Sequence, residues 1–187
     1  MPKTGLRRKM LESRKALCAK DYMEKSLVIQ QKLLSTEEFS RANVLALYYS
    51  IHNEVDTHKI IENCLDSGKI VLLPTVHDGR MIFRELKGFS CLHKGKFGIP
   101  EPPATNEALA PDQADMIVLP GIAFDKKGQR VGYGKGFYDK CLHHLEGQGK
   151  LVAVCYDFQL VEKIAGEPHD VKVDMIITEK RIIHTLA

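Results

Sequence analysis

The chain predicts an α/β protein: a three-layer domain with a largely parallel central sheet. Three observations carry that expectation. Short, continuously apolar runs recur along the chain, as strands buried on both faces require. Segments with helical apolar spacing stand between them. The alternation of the two continues through most of the 187 residues, a length that suits one domain, here 1–187.

The elements follow in order. Thr4 to Lys15 and Asp21 to Leu34 read as helices, with Leu6, Met10 and Leu17, then Leu27, Ile29, Leu33 and Leu34, on their apolar faces. Asn43 to Tyr49 is the first buried strand. Thr57 to Ser67 is a helix stopped by Gly68, and Lys69 to Leu73 is a strand closed by Pro74. Met81 to Leu86 alternates and reads as an edge or antiparallel strand. Lys87 to Asp112 turns to Gly, Pro and polar residues; a loop of that length is often functional. Met116 to Leu119 and Leu151 to Tyr156 are strands, Gly136 to Leu145 and Gln159 to Ala165 helices. Met175 to Thr178 and Arg181 to Thr185 close the chain as strands.

Composition excludes several classes. A formal net charge of +3, with 27% charged and 44% apolar residues, is ordinary for a globular domain and far from a nucleic-acid binder's footprint. Five scattered cysteines without a CxxC pair argue for reduced thiols in a cytoplasm and against a zinc site. No apolar run approaches the ~20 residues that span a bilayer. The basic N-terminus lacks a secretory core; a mitochondrial presequence is the competing reading, and Glu12 and Asp21 weigh slightly against it.

The segment Pro120-Gly-Ile-Ala-Phe-Asp-Lys-Lys-Gly-Gln-Arg-Val-Gly-Tyr-Gly-Lys-Gly-Phe-Tyr-Asp139 carries the chemistry. Its glycines free backbone N–H groups to approach a ligand, and Lys126, Lys127, Arg130 and Lys135 complete a polyphosphate cradle ahead of a helix N-terminus. Asp125 and Asp139 bracket it, and a carboxylate beside phosphates suits magnesium. The spacing is neither a Walker loop nor a full dinucleotide fingerprint. In Glu167-Pro-His-Asp170, Asp170 either joins Asp139 at a magnesium ion or belongs to a solvated acidic turn. At the first strand's exit, Glu54 either meets a ligand or charges a helix start, and Tyr48 and Tyr49 either stack on a heterocycle or pack in the sheet. His143 and His144 read as surface residues.

Together these motifs resemble the 5-formyltetrahydrofolate cyclo-ligase family over nearly the whole chain. The glycine segment resembles its signature, and Phe97-Gly-Ile-Pro-Glu-Pro102 its site loop. Small departures are Val131 for a usual leucine, Lys135 for a frequent glycine and Phe137 for a common tyrosine. The resemblance implies ATP contacts from Lys3, Thr4, Gly5, Leu6 and Arg7 and from Arg130, Val131, Gly132, Tyr133, Gly134, Lys135, Gly136, Phe137 and Tyr138. It implies substrate contacts from Tyr49, Glu54 and Tyr133 to Phe137, Mg²⁺ at Asp139 and Asp170, and Arg130 and Lys135 as the catalytic cations. The implied reaction is ATP- and Mg²⁺-dependent cyclisation of 5-formyltetrahydrofolate by a cytoplasmic monomer on a Rossmann-like sandwich of the sugar-phosphate isomerase and CoA-transferase type. A sugar-phosphate isomerase or deaminase on that fold, or a folate-binding module without catalysis, are the alternatives.

Overall fold

The computed structural model describes residues 3–185. The chain opens with α1 (Lys3–Lys15), α2 (Ala19–Leu34) and α3 (Glu37–Arg41), then β1 (Val44–Ala46), α4 (His58–Asp66), β2 (Ile70–His77) and β3 (Arg80–Glu85). Short strands β4 (His93–Lys94), β5 (Pro100–Glu101) and β6 (Ala108–Leu109) follow, then β7 (Met116–Leu119), β8 (Ala123–Asp125) and β9 (Arg130–Val131). The last part holds α5 (Phe137–Leu142), β10 (Leu151–Val154), β11 (Leu160–Val161), β12 (Met175–Ile177) and β13 (Ile182–His184).

One eight-stranded sheet runs β13-β12-β10-β7-β1-β2-β3-β6. Its centre is parallel, from β12 through β10, β7 and β1 to β2. The flanking β13, β3 and β6 are antiparallel. The period of two along each strand divides the core. Leu45, Val71, Met116, Val118 and Val152 join one buried cluster with Ile29 and Leu33 of α2 and Ile60 and Ile61 of α4. Ala46, Leu72, Ile117, Leu119 and Leu151 join another with Leu142 of α5 and Leu145. Both faces of the sheet are covered.

Several expectations are corrected. The glycine segment is not one strand-to-helix loop. Residues 123–131 fold into the antiparallel hairpin β8–β9, and only Gly132 to Gly136 bridge to α5. Asp125 is why: its buried carboxylate accepts the N–H groups of Lys127 (2.9 Å) and Gln129 (3.1 Å) across the turn and of Ile164 (2.9 Å) beyond it. Asp125 therefore shapes a turn, with both carboxylate oxygens committed to backbone N–H groups. The expected helix from Gln159 to Ala165 is absent. Seven residues are too few to repay helix nucleation unaided, and buried Gln159 binds the Gly121 and Ile122 carbonyls, which seats Leu160 and Val161 as β11 beside β8. The helix expected to reach Leu145 stops at Leu142 and ends in a 3₁₀ turn. α3 was not expected; Thr36 starts it by accepting the Phe39 N–H with its hydroxyl.

Candidate active site

The cleft lies where the physics of such sheets puts it. β2 continues from β1 on one side, whereas β7, β10 and β12 add on the other, so strand order reverses between β1 and β7. Ligands of open parallel sheets bind outside the carboxyl ends at that switch. Tyr48 and Tyr49 leave β1 there, Pro120 leaves β7, and Pro74 and Val76 of β2 complete the floor of a cleft of about 480 Å³.

Most of the expected site residues line this one cleft: Lys3, Arg7, Tyr49, Glu54, every residue from Arg130 to Asp139, and Asp170. Three do not. Leu6 is buried in a separate apolar cluster with Met10, Ile122 and Val131, and Thr4 and Gly5 are not among the lining residues. Lys126 and Lys127 are exposed on the β8–β9 turn and also stand apart, so the expected four-cation cradle reduces to Arg130 and Lys135, with Lys3 and Arg7 supplied by α1.

On the glycine side, Gly134 has φ +91, which L side chains rarely adopt, and the Arg7 guanidinium stands 3.6 Å from where a Cβ would be. Arg7 also donates Nε to the Gly132 carbonyl (2.8 Å), so α1 grips this loop directly. Arg130 is buried; it donates Nη2 to Asp139 Oδ1 (2.7 Å) and Nη1 to the Pro120 carbonyl (3.3 Å). Lys135 is exposed and makes no ion pair or hydrogen bond among the described residues.

At the acidic end, Lys3 Nζ bridges Asp170 (2.6 Å) and Glu167 (3.1 Å). Burial opposes the charge on Lys3, but the two carboxylates outweigh it and raise its pKa. Burial likewise opposes charge on Asp170, and the Lys3 and Glu167 N–H bonds outweigh it and hold its carboxyl low. Asp139 spends Oδ1 on Arg130 and the Val171 N–H, and Asp170 spends Oδ2 on Lys3 and the Glu167 N–H. Each keeps its other oxygen free of hydrogen bonds among the described residues. Two hard oxygen donors fit Mg²⁺. Glu167, His169 and Asp170 also bring donor atoms within 4.8 Å of one another; Asp139 is not in that group.

Across the cleft, Glu54 is buried. Oε1 accepts the Tyr133 hydroxyl (2.5 Å) and Oε2 the Ile51 N–H (3.0 Å). Burial raises its pKa, against the pull of Tyr133, Ile51, Arg14 and His52. Tyr49 packs edge-on against His58 at 4.3 Å, whereas Tyr48 is buried and donates its hydroxyl to the Val55 carbonyl. Part of the long polar stretch after β3 lines the cleft: the β4–β5 hairpin brings Lys96, Phe97, Ile99 and Glu101 to it, with Phe97 at φ 63 and its ring 6.2 Å from that of Phe137. Arg14 escaped the sequence reading. Its signal was available, because Leu6, Met10 and Arg14 follow one another at four-residue spacing on the buried stripe of α1.

Fold and cleft together define an α/β protein with a cleft at the switch point of a parallel sheet, lined by the glycine loop, its cations and a buried carboxylate. The comparisons give the particular family. The family model described as "5-formyltetrahydrofolate cyclo-ligase family" matches residues 1–179. A 5-formyltetrahydrofolate cyclo-ligase of Mus musculus is 30% identical over 189 residues, covering 95% of this chain and 93% of the relative. One from Escherichia coli K12 is 29% identical over 176 residues, covering 91% and 97%. The NMR structure of Aquifex aeolicus 5,10-methenyltetrahydrofolate synthetase superposes with TM-score 0.90 at 34% identity, covering 100% of this chain and 94% of that one. A Mycoplasma pneumoniae 5,10-methenyltetrahydrofolate synthetase superposes at 0.79 and 27%, covering 96% and 99%. The chain belongs to the 5-formyltetrahydrofolate cyclo-ligase family.

Proposed function

We propose that this protein uses ATP to close 5-formyltetrahydrofolate to 5,10-methenyltetrahydrofolate, releasing ADP and phosphate. The observation that carries the reading is that one cleft is lined both by the glycine loop with Arg130 and Lys135 and by the hydrogen-bonded pair Glu54 and Tyr133. The first group suits a polyphosphate, the second the N–H groups of a reduced pterin.

The N5-formyl group is an amide, so its carbon is a poor electrophile until its oxygen can leave. That oxygen attacks the γ-phosphorus of ATP, and the bond to ADP breaks. N10 then adds to the activated carbon, loses its proton, and expels the phosphate as the new N5–C–N10 unit forms. The transfer asks mainly for alignment and charge neutralisation. Lys135 is free to meet phosphate oxygens, and Arg130, held by Asp139, offers a fixed positive field at the loop. Glu54 and Tyr133 orient the folate, Phe97 and Phe137 flank the cleft, and Arg7 keeps the loop against α1. Asp139 and Asp170 would hold Mg²⁺, which when bound neutralises phosphate charge.

We read the covered sheet, with α2 and α4 on one face and α5 on the other, as a Rossmann-like three-layer sandwich of the sugar-phosphate isomerase and CoA-transferase type. We also assign the protein to the cytoplasm, on its scattered free cysteines, and keep the monomer that the family resemblance implies. Among the described residues no helix is long and apolar enough to cross a membrane. The family match does not favour an isomerase or a purely binding role.

The test is direct. Incubated with 5-formyltetrahydrofolate, the protein forms the methenyl chromophore only when MgATP is present, with one ADP per product. Product without nucleotide, or tight folate binding with no product and no ADP, would overturn the reading.

A further inference from the structure

Arg14 lies beneath the cleft and is not among its lining residues. It is 1% exposed, the largest fully buried side chain on the final turn of α1. A buried guanidinium needs a strong reason to be there, since desolvating it is costly unless it is paired. Its pairing is specific. Nη2 donates to the Tyr133 hydroxyl (2.9 Å) and to the His52 carbonyl (2.9 Å). Nη1 stands 3.9 Å from Glu54 Oε1, and the guanidinium carbon lies 5.9 Å from the Tyr133 ring centre. The Arg14 carbonyl accepts the Asn53 amide (3.1 Å), so the same residue also fixes the turn that presents Glu54. Nε and Nη1 have no hydrogen-bond partner among the described residues.

The direction of each bond matters. Nη2 donates to the Tyr133 oxygen while the phenol donates to Glu54, so the hydroxyl is held from both sides. Tyr133 belongs to the Gly132 to Gly136 bridge, is 45% exposed as a residue, and is anchored through this oxygen. Without Arg14 the hydroxyl loses the donor that fixes its other side, and the Glu54 bond is its one remaining anchor among the described residues.

We propose that Arg14 is a positioning residue, which orders the Tyr133 phenol and the Glu54 carboxylate as one preformed folate-binding unit; this rests on the folate side of the function proposed above. Arg7 and Arg14 stand two turns apart on α1 and hold the glycine bridge at successive residues, Gly132 by its carbonyl and Tyr133 by its hydroxyl. The helix acts as a splint along the bridge.

The experiment compares Arg14→Met, Arg14→Lys and Tyr133→Phe, singly and combined, in the full chain. Arg14→Met is expected to raise KM for 5-formyltetrahydrofolate at least tenfold and leave KM for ATP within twofold. Arg14→Lys recovers part of that loss. In the Tyr133→Phe background the effect of Arg14→Met falls to threefold or less, because both substitutions remove the same arrangement. Equal effects on both KM values, or an Arg14→Met effect undiminished by Tyr133→Phe, would overturn the proposal. Should Arg14→Met fail to fold, the same comparisons are made with Arg14→Lys. A readout free of substrate separates this proposal from the proposed reaction. In ¹³C-tyrosine NMR of the unliganded protein, the resonance assigned by its loss in Tyr133→Phe is single and sharp in the parent and broadens or splits in the Arg14 variants. An unchanged resonance refutes the positioning role whatever the protein's substrate proves to be.

Discussion

Arg130 and Lys135 are both cations of the glycine segment, one on β9 and one on the bridge that follows it, and the structure separates what their removal must do. Arg130 is buried between Asp139 and the Pro120 carbonyl, whereas Lys135 is exposed and unpaired among the described residues. Arg130→Met deletes one half of a 2.7 Å ion pair and leaves the Asp139 carboxylate without its main partner. Breaking a buried pair from one side costs about 3–5 kcal/mol; Asp139 keeps some solvent contact, which places the expected cost at the lower end. For a chain of this size each kcal/mol moves Tm by about 2–4 °C, so a drop of roughly 6–12 °C is expected. Lys135→Ala removes no contact and should stay within about 0.5 kcal/mol of the parent. Turnover falls in both by about 10²–10³, the scale of losing one preorganised charge opposite a developing anion. Thermal melts and initial rates of methenyl formation, run on the same preparations, read both quantities. Equal melting temperatures for the two variants would refute the division of labour, and near-parental turnover in Lys135→Ala would remove Lys135 from the phosphate.

Two further predictions address the carboxylates. Glu54 has its pKa raised by burial, so the native state binds that proton more tightly than the unfolded chain does, and its contribution to stability falls as pH rises through the interval between the two values. Glu54→Gln should therefore gain stability relative to the parent as pH rises above the ordinary carboxylate range, while KM for the folate rises at least about tenfold with loss of the charge-assisted bonds; a relative loss of stability with rising pH in paired melts would contradict this. Asp125→Asn replaces one acceptor oxygen of a carboxylate that receives three backbone N–H groups, and should cost about 1–3 kcal/mol. Its activity should follow the same Mg²⁺ titration curve as the parent, and a displaced curve would return Asp125 to the metal.

What the sequence disclosed and what it withheld divide largely by range. The five parallel strands announce themselves because each is buried on both faces, and a run such as Met116 to Leu119 has no amphipathic alternative. The glycines and Arg130 were legible as a loop because backbone freedom and charge are local properties. The β8–β9 hairpin was not, although its turn is local: the Asp125 carboxylate that accepts the Lys127 and Gln129 N–H groups reads in sequence as a ligand for a cation. The segment from Gln159 was misread because its side chain is committed to two carbonyls near residue 121, a contact no helical periodicity records. Lys126 and Lys127 looked equivalent to Arg130 and Lys135 until the hairpin turned them outward.

Arg14 marks a different failure, one of interpretation. A charged residue repeated into an apolar stripe reads at first as an interruption, and in α1 the stripe was taken from Leu6 and Met10 to Leu17 past it. Burial at that position obliges the guanidinium to find acceptors inside the protein, and the acceptors here are groups of the site itself, the Tyr133 hydroxyl and the His52 carbonyl. Lys3, Arg7 and Arg14 thus meet the cleft from a single helix: at the acidic end, at the glycine bridge and beneath Glu54. A helix that touches both the phosphate-suited and the pterin-suited sides cannot shift for one without disturbing the other. Any displacement of α1 should therefore appear in both Michaelis constants, whereas the loss of Arg14 alone should appear in one.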